Sequence, residues 1–96
     1  MSVRLKRTRG SGNVFADLGF GSEEADNLLL RAQLMSRIRG VSRGVTQRDA
    51  AALFNVSQPR LNDVLRGKID KFSLDALVNM LGHAGMRVEL KVRKAA

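Results

Sequence analysis

The chain has 96 residues with 17 Lys and Arg against 9 Asp and Glu, a formal net charge of +8, and its 44% hydrophobic content includes only 4 Phe and no Trp, Tyr or Cys. So short a chain makes one domain around a single core with little room for a catalytic cleft; lacking Cys, it has no disulfide or thiol nucleophile, and with His83 its one histidine it lacks the ligands for zinc. The charge points to a polyanion, nucleic acid first, and no leader or bilayer-length apolar run appears, so a cytoplasmic, non-membrane protein that is not an enzyme and needs no cofactor is expected.

Residues 1–12 read as a flexible basic arm, because Arg4, Lys6, Arg7 and Arg9 crowd together without an acid and Gly10-Ser11-Gly12 cannot hold regular structure. Residues 13–96 form the expected domain. Val14, Phe15, Leu18 and Phe20 make an apolar stretch too short and too Gly-bounded to type as helix or strand, and it is expected to pack against something. From Glu23 to about Arg43 the pattern is helical. Glu23, Glu24 and Asp26 sit in the first turn and Arg37, Arg39 and Arg43 near the end, each sign suiting the helix dipole, with Ser22 as N-cap and Gly44 as stop. Leu30, Leu34, Ile38 and Val41 form one apolar stripe, and Leu28, Ala32 and Met35 another. That arc is wider than one core contact needs, so part of this helix is expected to meet a second chain.

Thr46 then caps a short helix, Gln47 to Phe54, with Asp49 in the capping-box position and Ala50, Ala51 and Leu53 as small buried side chains. Asn55 tolerates a tight turn, and Ser57 caps the next helix. Pro59 falls in its first turn, where a missing N–H costs nothing, and Leu61, Val64 and Leu65 form its buried face until Gly67 ends it. A fourth helix runs from a Ser73 cap to Gly85, with Leu74, Leu77, Val78 and Leu81 facing inward. Beyond it Met86, Val88, Leu90 and Val92 alternate with Arg87, Glu89, Lys91 and Arg93, the pattern of a half-buried strand. A lone strand needs an edge. Either the same strand of a second copy supplies it, burying Val88, Leu90 and Val92 in a homodimer, or the Val14 to Phe20 segment does. The expected fold is a mainly α bundle of about four helices with a C-terminal β-strand.

Helix, short turn, helix is the shape that presents a helix N-terminus to the major groove of double-stranded DNA. With Leu61, Val64 and Leu65 inward, Gln58, Pro59, Asn62, Asp63 and Arg66 point outward, flanked by Ser57 and Arg60. Gln bonds adenine N6 and N7 together, and Arg does the same for guanine O6 and N7, so Gln58 and Arg60, with Asn62 beside them, are the base-reading candidates. Thr46, Gln47 and Ser57 lie at helix starts that suit phosphate, and Arg66, Lys68 and Lys71 are placed to neutralise the flanking backbone. Asp63 has the wrong charge for this face, and it either accepts from a cytosine N4 or penalises wrong sequences.

These residues carry a family resemblance. "TQRDAAALFNVSQPRLNDVLRGK", within a match from Arg37 to Lys68, resembles the helix-turn-helix of lambda-repressor-like XRE regulators. "SGNVFADLGF" and "FSLDALVNMLGHAGMRVEL" on either side are similar to the HigA-type antitoxin-like branch of that family, whose usual partner is a RelE-like ribonuclease toxin. The resemblance sets Gln47 on the family's phosphate-clamping glutamine and Gln58 on its base-contacting one, and leaves Arg60 and Asn62 at variable reading positions. It implies a DNA-binding repressor of its own operon and a type II antitoxin. A stand-alone or phage-derived regulator without a toxin is the alternative, and an RNA-binding module comes after it.

Surplus apolar surface on the first long helix, with Val14, Phe15, Leu18 and Phe20, supplies the candidate toxin contact, and Asp17, Glu23, Glu24 and Asp26 add local negative charge. His83 near a helix end suits the dipole better than a ligand role, and Met35, Met80 and Met86 read as core filler. No carboxylate pair has acid–base spacing and no phosphate-cradling glycine motif appears. Single-stranded RNA needs exposed stacking rings, and the core claims some of the 4 Phe.

Overall fold

The computed structural model describes residues 13–94 of the chain. In order these are α1 (Val14–Asp17), α2 (Ser22–Ser42), α3 (Gln47–Phe54), α4 (Gln58–Leu65), a 3-10 turn (Ile69–Lys71) and α5 (Leu74–His83). The basic arm expected at residues 1–12 lies outside the described residues.

Local chemistry starts the helices. The side-chain oxygens of Thr46, Ser57 and Ser73 accept from the N–H groups of Asp49, Arg60 and Ala76 at 3.1, 3.2 and 3.1 Å, as the cap positions require. Asn13 caps α1, its Oδ1 accepting from the N–H of Phe15 at 3.0 Å and of Ala16 at 3.3 Å, while its Nδ2 donates to Asp26 at 3.2 Å and ties α1 to α2. The untyped stretch after Asn13 is thus a helical turn. It closes through Gly19, whose N–H bonds the Ala16 carbonyl while that of Phe20 bonds Phe15, and the rings of Phe15 and Phe20 meet edge to face at 6.2 Å across the closure. The expectation of a Ser22 cap is corrected: Ser22 is the first residue of α2, and Gly21 precedes it with no side-chain bond.

The core gathers Leu34, Met35 and Ile38 of α2, Ala50, Ala51 and Phe54 of α3, Leu61 and Val64 of α4, Phe72, and Leu77, Met80 and Leu81 of α5. α2 carries two packing surfaces along its length. Ala25 and Leu28 are buried in the half toward α1, and Leu34, Met35 and Ile38 in the half that meets α4 and α5. The width of its arc thus serves two partners within the chain, and no residue of α2 is among the exposed large hydrophobics. Leu53 is exposed and Phe54 buried in α3; in α5 Val78 is exposed and Met80 buried. Both differences have one cause. An apolar stripe fixes the centre of a helix's inner face, and docking against neighbours decides which flank goes under.

Among the described residues there is no β-strand, which corrects the reading of Met86 to Arg93. The N–H of Met86 bonds the Leu81 carbonyl at 3.0 Å and closes α5, Met86 and Val88 pack on the core, and Leu90 and Val92 stand 77% and 87% exposed. Period-two alternation calls for a neighbouring edge, and the expected one within the described residues, Val14 to Phe20, has closed its own hydrogen bonds as α1 and the turn that follows it. No helix among the described residues is long and apolar enough to cross a membrane.

Candidate nucleic-acid interface

Three residues, Asn55, Val56 and Ser57, separate α3 from α4. Asn55 takes the left-handed conformation at φ 56° and ψ 47°, where Asn is among the few non-glycine residues tolerated. Its N–H bonds the Ala52 carbonyl at 3.1 Å and that of Val56 bonds Ala51 at 3.0 Å, a paired closure that satisfies the last carbonyls of α3. Val56 then packs on the core and Ser57 opens α4. With Leu61 and Val64 fully buried, α4 is seated along one side, and its other side is fixed in direction before any ligand arrives.

That outer side presents Gln58, Pro59 and Arg66 exposed and Asn62 and Asp63 half-buried. Ser57 is exposed at the helix start, and Thr46 and Gln47 are exposed at the start of α3. First-turn N–H groups have no intrahelical acceptor, so both starts carry partial positive charge. Arg48 was not foreseen. Its side chain is 85% exposed beside Gln47, held only by a long 3.9 Å approach to Asp49, and it adds a cation at the α3 start. Arg39 of α2 lies at the other end of α4, its Nη1 3.9 Å from where a Cβ on Gly67 would stand.

Arg60 is placed differently from Gln58 and Asn62. Its guanidinium carbon lies 4.1 Å from the centroid of the buried Phe72 ring, and its Nη1 donates to the Lys71 carbonyl at 3.2 Å. Arg31 of α2 donates to the carbonyls of Ile69 and Phe72 at 3.1 and 3.4 Å. Two arginines from different helices therefore brace the segment Ile69 to Phe72, which carries Lys71. The charge that seemed out of place, Asp63, faces Lys68 at 3.4 Å and Lys71 at 3.7 Å. The structure brings Thr46, Gln47, Ser57, Gln58, Asn62 and Arg66 onto the α3–α4 pair and Lys68 and Lys71 just past its end. Val14, Phe15, Leu18 and Phe20 are carried by α1 and its closing turn, whose packing partner is α2.

A helix-turn-helix domain family matches residues 14–93. The chain belongs to this family. The match takes in α1, α5 and Met86 to Arg93 along with the α3–α4 pair, so the outer segments are part of the domain itself. No curated protein matches the chain. In a helix-turn-helix domain the second helix of the pair enters the major groove and the first crosses the backbone, so membership of the family supports DNA binding.

Proposed function

We propose that this chain is a sequence-specific repressor of transcription, a lambda-repressor-like XRE regulator that binds operator DNA as a homodimer and serves, in the HigA-type branch, as the antitoxin of a RelE-like ribonuclease toxin. The observation that carries the DNA reading is the rigid seat of α4: Leu61 and Val64 are fully buried while Gln58 and Arg66 are exposed on the opposite side. Gln58 and Asn62 read bases, and Thr46, Gln47, Ser57, Arg66, Lys68 and Lys71 position the phosphate backbone. Repression by occlusion requires no cofactor and no chemistry. Duplex DNA is favoured over single-stranded RNA because Phe54 and Phe72 are buried and Phe15 is half-buried against Phe20, which leaves Phe20 as the one exposed ring among the described residues where stacking of successive bases needs several.

A two-fold operator needs two recognition helices about 34 Å apart, and the exposed Leu90 and Val92 are the apolar residues that a second copy would cover. The toxin reading draws support from Val14, Leu18 and Phe20, which are exposed on and just after α1 beside the acids Asp17, Glu23 and Glu24. A basic partner fits that mixture of apolar and acidic surface.

Replacing Gln58 with Ala is expected to cost about 1 to 3 kcal/mol on the operator and spare random duplex, whereas Arg66→Ala weakens both and flattens the salt dependence by about one unit of slope. Equal losses on both duplexes for Gln58→Ala would remove base reading from α4. Copurification of the neighbouring gene's product, abolished by Phe15→Asp with Leu18→Asp, tests the antitoxin role; a harmless neighbour that never copurifies leaves a plain repressor.

A further inference from the structure

An acid on the outward face of a helix that meets phosphate is electrostatically unfavourable, and Asp63 lies on that face among Pro59, Asn62 and Arg66. The chain folds back onto it. Gly67, at φ 74°, reverses the backbone after α4, and the N–H of Lys68 donates to the Asp63 carbonyl at 3.0 Å. This brings Lys68 Nζ to 3.4 Å from Asp63 Oδ1, and the 3-10 turn, braced by Arg60 and Arg31, brings Lys71 Nζ to 3.7 Å from Oδ2. Each carboxylate oxygen thus faces a different ammonium. The Asp63 side chain is 22% exposed against 41% for Lys68 and 51% for Lys71, so the carboxylate sits beneath two cations that still reach solvent.

We propose that Asp63 is an internal counter-ion that competes with DNA phosphate for Lys68 and Lys71, and so limits the sequence-independent part of duplex affinity. The proposal rests on the DNA-binding reading above and adds a residue that sets how strongly the protein is retained on bulk DNA. Two cations that share one anion present about one net charge to a phosphate, and a phosphate that takes either lysine must displace a bond already made. Affinity from phosphate contacts falls with salt at a slope of about 0.9 per charge neutralised. Neutralising Asp63 therefore steepens the slope by about 0.9 and tightens binding about eightfold at 0.1 M salt, with the gain vanishing near 1 M. Because the effect touches no base, it is the same for every sequence.

The experiment titrates the full chain and Asp63→Asn against a random-sequence duplex and against a duplex selected from a randomised pool by the native protein, over a range of salt, with thermal melting to verify folding. Equal tightening on both duplexes with a steeper slope is the expected result. A mutant cycle adds Lys68→Gln with Lys71→Gln, in whose background Asp63→Asn is expected to leave the slope unchanged because no lysine remains to be released. An unchanged slope in Asp63→Asn, or strict additivity in the cycle, overturns the proposal while leaving DNA binding intact. Loss of binding confined to the selected duplex overturns it in favour of base reading by Asp63. Failure of the native chain to bind either duplex removes the DNA-binding reading itself, and the proposal with it.

Discussion

Changing Arg60 to Ala separates two roles that the same residue type can play at a helix start. If the guanidinium serves the fold, the variant loses a hydrogen bond to the Lys71 carbonyl, made at 3.2 Å, and the contact with Phe72 at 4.1 Å. A bond from a charged donor is worth about 1.5 to 3 kcal/mol when desolvated, and half-exposure of Arg60 brings that to about 1. The cation–π contact adds about 1, since the Phe72 ring is buried while the cation is partly wet. The sum is about 2 kcal/mol. For a domain of this size each kcal/mol moves the melting temperature by about 4 to 8 °C, so Arg60→Ala is expected to melt about 8 to 16 °C below the native chain. Arg60→Lys keeps the charge but not the planar stack, and falls between the two. The assay pairs calorimetric melting with fluorescence anisotropy on selected and random duplexes, where the losses are expected to be similar on both. Melting within about 2 °C of the native protein, together with a loss only on the selected duplex, would refute the bracing role and return Arg60 to the bases.

Two further outcomes follow from the backbone and the C-terminal segment. Asn55→Ala is expected to lower stability by about 1 kcal/mol, while Asn55→Gly holds or raises it, because φ 56° strains a Cβ-bearing residue; equal urea midpoints for the two variants would contradict this. Leu90→Asp with Val92→Asp is expected to shift the sedimenting species from dimer to monomer and leave melting nearly unchanged, since both side chains are exposed and the packing of Met86 and Val88 is untouched. A variant that remains dimeric would direct attention to the wetter faces of α2.

The features legible in the sequence are those whose causes lie within a few residues. Each cap bond from Thr46, Ser57 and Ser73 spans three residues, the turn at Asn55 closes on Ala51 and Ala52, and Leu61 and Val64 are spaced to share one face, so the α3–α4 pair and its outward residues follow from local rules. Gln58 and Arg66 inherit their exposure from that geometry. What tertiary structure decided lies farther apart along the chain. The position of Arg60 on α4 permits a place in the groove, yet its guanidinium donates to the Lys71 carbonyl, 11 residues on, and lies over the Phe72 ring, whose burial no local pattern announces. The bonds from Arg31 to the carbonyls of Ile69 and Phe72 span 38 and 41 residues. Asp63 read as a misplaced charge until the Gly67 turn brought two lysines to it. Val78 and Met80 flank the same stripe, and only docking on α2 and α3 chose which to bury. The alternation from Met86 to Val92 is real, but a strand forms through hydrogen bonds to a second edge, and alternation within one segment supplies none.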